Sequence, residues 1–282
     1  MDLIKDAKEV YVKNDTVNLH TIVIGDGKPL ILLHGFPDFW YGWKELVPHL
    51  KNDFQLIIPD LRGYNLSSKP KKIEDYKIEF LIEDVRMIAK EFYLDNFTLI
   101  GHDWGGIISW IFAEMYPDLL NRLIIINAPH PKLFGKKIRS NKEQRKASSY
   151  IFKFLEPDGE KYLFENDYQA LKMGLFGASK KKFEKKEKEA YINAWSQPGA
   201  ILSGVNYYRA NRNFDDYTGK IKVPTLLMHG MKDLFVKPVV LEGIDSFVED
   251  LKLVKIEDAT HWVMHEKPQK VAIEIKKFLN HH

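Results

Sequence analysis

Short apolar runs recur along the chain, and they constrain its fold more than any other feature of the sequence. The six runs are PLILLHG (29–35), QLIIPDLRG (55–63), NFTLIGH (96–102), NRLIIINAP (121–129), VPTLLMHG (223–230) and LKLVKIED (251–258). Strands that are continuously apolar, rather than alternating, are typical of a parallel sheet whose two faces are both covered by helices. We therefore predict an α/β fold with a mostly parallel, doubly wound sheet.

Helical patterns separate these predicted strands. Residues 78–94 have the spacing of an amphipathic helix, residues 104–117 predict a more apolar, buried helix, and residues 267–279 predict a surface helix. Two earlier segments, EVYVKND (9–15) and NLHTIVIG (18–25), alternate between apolar and polar residues. Such alternation is typical of antiparallel strands, so we expect these two at one edge of the sheet.

One stretch, between the fourth and fifth apolar runs, contains charged helical patterns and no strand pattern. We predict a helical lid over residues 131–219, inserted between two parts of the α/β core, 1–130 and 220–282. Ligands of doubly wound folds bind at the carboxyl ends of the strands, so the lid is expected to cover that edge. The charged run KKKFEKKEKE (180–189) is interpreted as a solvated helix face, with Lys and Glu one turn apart.

Composition excludes several classes of protein. Lys and Arg number 42 and Asp and Glu 39, a balance that gives no sign of nucleic-acid binding. No membrane span and no signal peptide are predicted, because no long apolar window occurs and the first residues, MDLIKDAKEV, include acidic residues and no apolar run. The absence of cysteine fits a reducing compartment, so we expect a soluble, cytoplasmic protein of undefined oligomeric state. The final pair, His281 and His282, is assigned no function.

The motif GHDWGG (101–106) follows a predicted buried strand and precedes a predicted buried helix. Many hydrolases carry Gly-x-Ser-x-Gly at such a strand-turn-helix junction, where flanking glycines permit a sharp turn that exposes the nucleophile. Here Asp103 stands between Gly101 and Gly105, in the place of that serine. The alternative role of Asp103 as a helix N-cap explains the aspartate but not the two glycines.

The partners of such a nucleophile follow along the chain as an acid and then a histidine. Asp233 and His261 each lie in the loop after a later predicted strand. The alternatives are less favourable, because Asp258 ends its own strand and His265 lies one helical turn beyond His261. Backbone N–H groups of two further residues are predicted to form an oxyanion hole, namely Phe36 and Trp104.

A carboxylate nucleophile suits displacement at saturated carbon, because its attack on an amide or ester would give an anhydride. The product of displacement is a covalent alkyl ester of Asp103. Water then hydrolyses this ester with His261 as general base, while Asp233 orients the imidazole and stabilises the imidazolium. An epoxide and an alkyl halide both fit this chemistry.

The sequence resembles the α/β-hydrolase superfamily, and within it the soluble epoxide hydrolases, over nearly its whole length. The matching blocks are HGFPDFWYGW (34–43), PDLRGYNLSSKP (59–70), GHDWGG, MKDLF (231–235) and THW (260–262). The resemblance implies that water and a small apolar epoxide give a vicinal diol, without a metal or organic cofactor. It also implies that Trp40 and Trp104 occupy apolar positions of the substrate pocket, that His34 and Pro37 belong to this pocket, and that Pro37 is at a cis-proline position.

The resemblance extends into the lid. YIFKFLEP, which begins at Tyr150, and NYYRAN, which contains Tyr208, resemble the segments that carry two catalytic tyrosines in that family. It implies that these phenols hydrogen-bond the epoxide oxygen and assist ring opening. Other tyrosines remain alternatives: Tyr207 beside Tyr208, and Tyr162 and Tyr168 in place of Tyr150.

Two departures from related families bear on the leaving group. Haloalkane dehalogenases usually have Asn at the position of Phe36, and haloacetate dehalogenases usually have Arg at that of Trp104. Trp104 alone does not separate epoxide hydrolases from haloalkane dehalogenases, because both use Asp-Trp-Gly. The two departures together weigh against a halide substrate. The alternatives to an epoxide hydrolase are a dehalogenase with the same nucleophile and a non-catalytic binding protein of this fold.

Overall fold

The structure, a computed structural model, describes residues 6–280, and their centre is an eight-stranded sheet. The strands are β1 (Lys8–Asn14), β2 (Val17–Ile24), β3 (Lys28–Leu33), β4 (Phe54–Pro59), β5 (Phe97–His102), β6 (Leu120–Ile126), β7 (Thr225–Gly230) and β8 (Leu251–Ile256). All six apolar runs therefore form strands. The pair His281 and His282 lies outside the described residues.

The strand order is β1-β2-β4-β3-β5-β6-β7-β8. Every pairing among β3 to β8 is parallel, whereas β1 pairs with β2, and β2 with β4, in antiparallel fashion. This confirms the predicted mostly parallel sheet with an antiparallel edge. Because six strands run in one direction, their carboxyl ends meet at the same edge of the sheet.

Helices cover both faces of the sheet, and β3 shows why its residues are apolar throughout. Ile31 and Leu33 belong to one buried cluster, whereas Leu30 and Leu32 belong to a second cluster on the opposite face. Successive side chains of a strand point to opposite faces, so a strand between two helical layers must be apolar at every position. All four of these side chains are at most 1% exposed.

Eleven α-helices lie among the described residues. They are α1 (Val47–Leu50), α2 (Ile78–Glu91), α3 (Trp104–Met115), α4 (Pro131–Ser140), α5 (Lys142–Ala147), α6 (Ser149–Phe154), α7 (Lys161–Lys172), α8 (Lys185–Trp195), α9 (Ala200–Ala210), α10 (Val263–Glu266) and α11 (Pro268–Asn280). The buried residues of α2 and α3 join the first cluster, and those of α1 and α11 join the second. Within residues 6–280, none of the helices has the length and apolar character needed to cross a membrane.

The segment between β6 and β7 is helical, and its described residues contain no strand. It comprises α4 to α9, with a kink inside α7 at residues 165–168, where three successive residues have positive φ. A short π-helix follows at Met173–Gly177.

Most of the charged run at 180–189 is exposed, as predicted, and Lys185 pairs with Glu189 one turn away. Two of its charged residues, Lys181 and Glu187, are instead largely buried. Glu187 caps the first turn of α8 and its side chain is only 6% exposed. It pairs with Lys181 at 2.7 Å and also with Lys44, while Lys181 pairs with Glu45. Because Lys44 and Glu45 belong to the core, this ion-pair cluster fastens α8 to the body of the protein.

Candidate active site

Asp103 lies in the sharp turn between β5 and α3. Its backbone has φ 50° and ψ −118°, a conformation that non-glycine residues rarely adopt. The turn is tight: a Cβ on Gly101 would lie 2.3 Å from the Gly105 carbonyl oxygen, and one on Gly105 would lie 2.1 Å from that of Leu33. The Asp103 side chain makes no capping hydrogen bond to α3. The aspartate is thus held at the carboxyl edge of the sheet with its carboxylate free to react.

Asp233 follows β7 and is buried beside His261, which follows β8. The Nδ1–H of His261 donates to Oδ2 of Asp233 at 2.7 Å. The second oxygen, Oδ1, accepts the backbone N–H groups of Phe235 and Val236 at 2.8 and 2.9 Å. These bonds fix the carboxylate, and the carboxylate fixes the imidazole.

The other ring nitrogen of His261, Nε2, lies 3.6 Å from Oδ2 of Asp103. Burial by itself would lower the pKa of His261, but the charge of Asp233 and contacts with Asp103 outweigh it and raise the pKa to about 10. Burial would raise the pKa of Asp233, yet the adjacent His261 lowers it to about 2. The two acidic neighbours of His261 therefore favour its protonated form.

The backbone N–H of Phe36 donates to Oδ1 of Asp103 at 2.8 Å. Phe36 lies in the turn after β3, joined to Pro37 by a cis peptide bond, as the sequence resemblance implied. A Cβ on Gly35 would lie 2.3 Å from the Asp103 side chain, so only glycine lets this turn approach so closely. Trp104 begins α3 directly after Asp103, and its N–H as the second oxyanion donor stays a prediction.

Two tyrosines of the helical segment face Asp103 from above. Tyr150 in α6 and Tyr208 in α9 pack edge-to-face, with their ring centroids 6.0 Å apart. Burial raises the pKa of both phenols, and the nearby charge of Asp103 adds to this effect. Both phenols are therefore protonated at neutral pH and able to donate a hydrogen bond.

The alternatives to these tyrosines occupy other positions. The hydroxyl of Tyr207 turns away from Asp103 and donates to the backbone carbonyl of Arg62 at 2.7 Å. Tyr168 packs against Trp195. Tyr162 lines a cavity at the site, but its ring stacks on Phe154.

Two cavities meet at Asp103, and both are also lined by Tyr150 and Tyr208. The wide cavity, of about 270 Å³, extends between α3, α4 and α6. The narrow cavity, of about 160 Å³, is lined almost entirely by apolar and aromatic side chains and is reached by His261. Pro37 lines the narrow cavity, and Trp104 lines the wide one.

His34 and Trp40 are not part of these two cavity walls. His34 is fully buried, and its Nε2 accepts the backbone N–H of Leu61 at 3.0 Å. Trp40 packs edge-on against the ring of Phe39. Both residues belong to the turn region after β3 and line neither cavity. Sequence resemblance alone does not distinguish such a position from one that lines the pocket.

The alternatives to the acid and the histidine also lie elsewhere. Asp258 is on the surface, where its side chain is 62% exposed and pairs with Lys267. His265 is buried, and its Nε2 contacts Oδ2 of Asp38 at 3.2 Å.

Asn127, directly after β6, is a site residue that sequence reasoning missed. Its side-chain N–H₂ donates to Oδ2 of Asp233 at 2.7 Å and to the carbonyl of Thr260 at 3.3 Å. Its own carbonyl oxygen accepts the N–H of Gly230 at 3.0 Å. Asn127 thus links the carboxyl ends of three strands around the acid. A polar residue directly after an apolar strand, in NRLIIINAP, was the available signal.

Comparison with known proteins agrees with this architecture. Residues 28–268 match the family model described as alpha/beta hydrolase fold. The chain belongs to the α/β-hydrolase family. It is 36% identical to AB hydrolase superfamily protein YfhM of Bacillus subtilis, over 95% of this chain and 96% of the relative.

Other relatives place the chain more closely. It is 35% identical to Epoxide hydrolase 4 of Mus musculus, over 96% of this chain and 78% of the relative. A crystal structure of an epoxide hydrolase from Bacillus megaterium in complex with an inhibitor matches with a TM-score of 0.90 at 34% identity. That match covers 96% of this chain and all of the other. Within the α/β-hydrolase family, the chain groups with the epoxide hydrolases.

Proposed function

We propose that this protein hydrolyses small apolar epoxides to vicinal diols through a covalent ester on Asp103. The observation that carries this proposal is the placement of Asp103 between His261 below and the phenols of Tyr150 and Tyr208 above, where two cavities meet. A nucleophile, a base and two proton donors thus surround one space large enough for a small epoxide.

In the first step, a carboxylate oxygen of Asp103 attacks a ring carbon, and the bond from that carbon to the epoxide oxygen breaks. The oxygen leaves as an alkoxide, which is strongly basic and needs a proton. Tyr150 and Tyr208, which both line the cavities at Asp103, donate hydrogen bonds to this oxygen. General acid catalysis of this kind accelerates a reaction by roughly 100- to 10,000-fold.

Formation of the ester also changes His261. The carboxylate of Asp103 is one of the two groups that hold the pKa of His261 at about 10, and its charge disappears on esterification. The pKa of His261 then falls, and the imidazolium releases a proton. The substrate oxygen gains one proton and His261 loses one, so alkylation needs no net proton from solution.

In the second step, neutral His261 takes a proton from water, and the hydroxide formed attacks the ester carbonyl of Asp103. The oxyanion is stabilised by the N–H of Phe36, which already donates to this carboxylate at 2.8 Å, and by that of Trp104. When the intermediate collapses, the bond from the Asp103 carboxyl carbon to the substrate oxygen breaks, the proton of the added hydroxyl passes to that oxygen, and the diol leaves as the Asp103 carboxylate is restored. Asp233 stabilises the imidazolium that is regenerated.

The helices of residues 131–219 act in this proposal as a lid that supplies both phenols and covers the strand ends. The narrow cavity beneath them is lined almost entirely by apolar and aromatic side chains, which favours an apolar substrate and limits access of bulk water. Residues of the chain carry out every step, and the only co-reactant is water. A cytoplasmic location stays a prediction.

The test is a panel of epoxides and haloalkanes offered to the purified protein. We expect diols from epoxides and no free halide from haloalkanes. Release of halide without diol formation would assign the same nucleophile to a dehalogenase. Mass spectrometry of the intact protein, quenched during turnover, should detect the ester on the peptide that contains Asp103.

A further inference from the structure

A second buried pair of aspartate and histidine lies behind the active site and takes no part in the chemistry described above. Asp38, in the turn after β3, and His265, in α10, are 1% and 4% exposed. Nε2 of His265 contacts Oδ2 of Asp38 at 3.2 Å. Asp38 does not line either cavity that reaches Asp103, so it cannot touch a substrate there.

Asp38 is held from several directions at once. Its Oδ1 accepts the hydroxyl of Tyr191, from lid helix α8, at 3.0 Å, and the N–H of Phe39 at 2.9 Å. Its backbone N–H donates to the carbonyl of Gly35 at 2.9 Å, which closes the turn. A Cβ on Gly42 would lie 2.1 Å from the carboxylate, so the side chain fits directly against backbone.

The turn that these contacts close contains Phe36, whose N–H donates to Asp103. The lid fastens the same turn a second time, because the indole N–H of Trp195 donates to the carbonyl of Pro37 at 2.7 Å. His265 belongs to the segment that continues directly from His261. The Asp38 carboxylate therefore connects three parts of the site: the turn that carries the Phe36 N–H, the segment that follows His261, and lid helix α8.

We propose that Asp38 is a positioning residue that, together with His265, holds the Phe36 N–H in place for hydrolysis of the Asp103 ester. The inference rests on the proposed function, because it assigns a role within the second step. Oxyanion donors act by fixed geometry, and a donor that moves away from the developing charge loses most of its effect. Alkylation depends less on this N–H, because the negative charge of that step develops on the epoxide oxygen beside the phenols.

The experiment compares the two steps separately in single-turnover reactions with an epoxide that the wild type accepts. Quenched-flow mass spectrometry measures formation of the ester and then its loss. For Asp38→Ala and His265→Leu we expect ester loss to slow by ~10-fold, less than the ~100- to 1,000-fold cost of deleting an oxyanion donor outright. Ester formation should stay near the wild-type rate, so the ester should accumulate in the steady state.

His265→Gln is the rescue variant, because its amide N–H can replace Nε2 in the contact with Asp38. It should recover most of the lost hydrolysis rate, whereas a role in packing alone would favour leucine over glutamine. Tyr191→Phe is the matched variant on the lid side, since it removes one hydrogen bond to Asp38 and retains the ring. We expect it to slow ester loss less than His265→Leu.

The proposal is overturned if His265→Leu and His265→Gln hydrolyse the ester equally fast, or if formation and loss of the ester slow together. If Asp38→Ala does not fold, the two His265 variants still decide the matter. A wild type that forms no ester with any epoxide would instead refute the proposed function, so the two failures are distinguishable.

Discussion

The two sides of the active site are built differently. On the sheet side, Asp103 and its partners lie at the ends of buried strands, and Asp233 alone receives four hydrogen bonds, from Phe235, Val236, Asn127 and His261. On the lid side, Tyr150 and Tyr208 are placed by aromatic packing against each other and against Phe154. The sheet side thus has a fixed geometry before substrate arrives, whereas in the proposed reaction the phenols of the lid side form their hydrogen bonds to the epoxide only when it binds.

The largest effect is expected on the sheet side, from Asp103→Ala. Turnover should fall by roughly a million-fold, the size of loss that follows removal of a covalent nucleophile from a serine protease. The fold should persist, because Asp103 is at a turn and makes no cap to α3. Steady-state diol formation and circular dichroism measure the two quantities. Retention of a tenth of the activity would remove Asp103 from its assigned role; Asp258→Ala is the control and should be as active as the wild type.

His261→Gln should separate the two steps of the reaction. Alkylation by an epoxide should continue, but hydrolysis should slow by roughly 100- to 10,000-fold, because the general base is lost. Intact-protein mass spectrometry should then show a stable adduct on Asp103. An unmodified variant that still binds substrate would contradict the covalent route and indicate direct attack by water.

On the lid side, the double change Tyr150→Phe and Tyr208→Phe should slow alkylation by roughly 100- to 10,000-fold, the usual worth of general acid catalysis. Each single change should have a moderate effect, because the remaining phenol still reaches the oxygen. Single-turnover alkylation measures all three variants. Tyr207→Phe is the control, since its hydroxyl bonds to Arg62, and it should alkylate normally. A double mutant as fast as wild type would exclude the lid from ring opening.

The protonation state of His261 depends on the charge of Asp103, and this dependence can be measured by titration. With Asp103 ionised, the imidazole should stay protonated up to about pH 10. Asp103→Asn removes one of the carboxylates that raise this pKa, so the imidazole should lose its proton at a lower pH than in the wild type. Nuclear magnetic resonance of the imidazole protons measures both pKa values. Equal values in the two proteins would show that Asp103 does not control the protonation of its base.

The smallest effect is expected at Asn127, which supports Asp233 from β6. Loss of its side chain leaves a buried N–H of Gly230 without a partner, at a cost of about 1–3 kcal/mol. Because Asn127 has φ 43°, Asn127→Gly removes the hydrogen bonds without backbone strain, whereas Asn127→Ala adds strain. Both variants should lower kcat by about tenfold, equivalent to 1.4 kcal/mol. Thermal unfolding should separate them, with Ala the less stable; an unchanged kcat in both would show that Asp233 is held without Asn127.

The difference between the sheet side and the lid side also decides which site residues could be predicted from the sequence. The strands and the order of Asp103, Asp233 and His261 follow from apolar runs and from the residues after them, because a buried parallel sheet brings its strand ends together. The choice of Tyr208 over Tyr207 depends on the rotation of α9, which one sequence does not reveal. His34 and Trp40 lie in a motif that matches the family, but motif position does not distinguish a wall of the pocket from the turn behind it.

Contacts between distant charged residues were the least predictable features. The run at 180–189 has the composition of an exposed helix face, yet Lys181 and Glu187 are mostly buried against Lys44 and Glu45. The contact between Asp38 and His265 joins residues far apart in the sequence and has no local pattern. Such pairs are set by how the lid docks on the core, which is a tertiary property.

The order of the active-site residues along the chain has a consequence for protein synthesis. A nascent chain that has emerged through the lid already contains the Asp103 turn and both phenols, but neither Asp233 nor His261. The acid and the base arrive with β7 and β8, the last strands of the chain, at the edge of the sheet opposite β1. Domains fold as units once enough chain is available. A partly translated or prematurely terminated product therefore lacks hydrolytic turnover, and any ester that it formed on Asp103 would persist as a permanent modification.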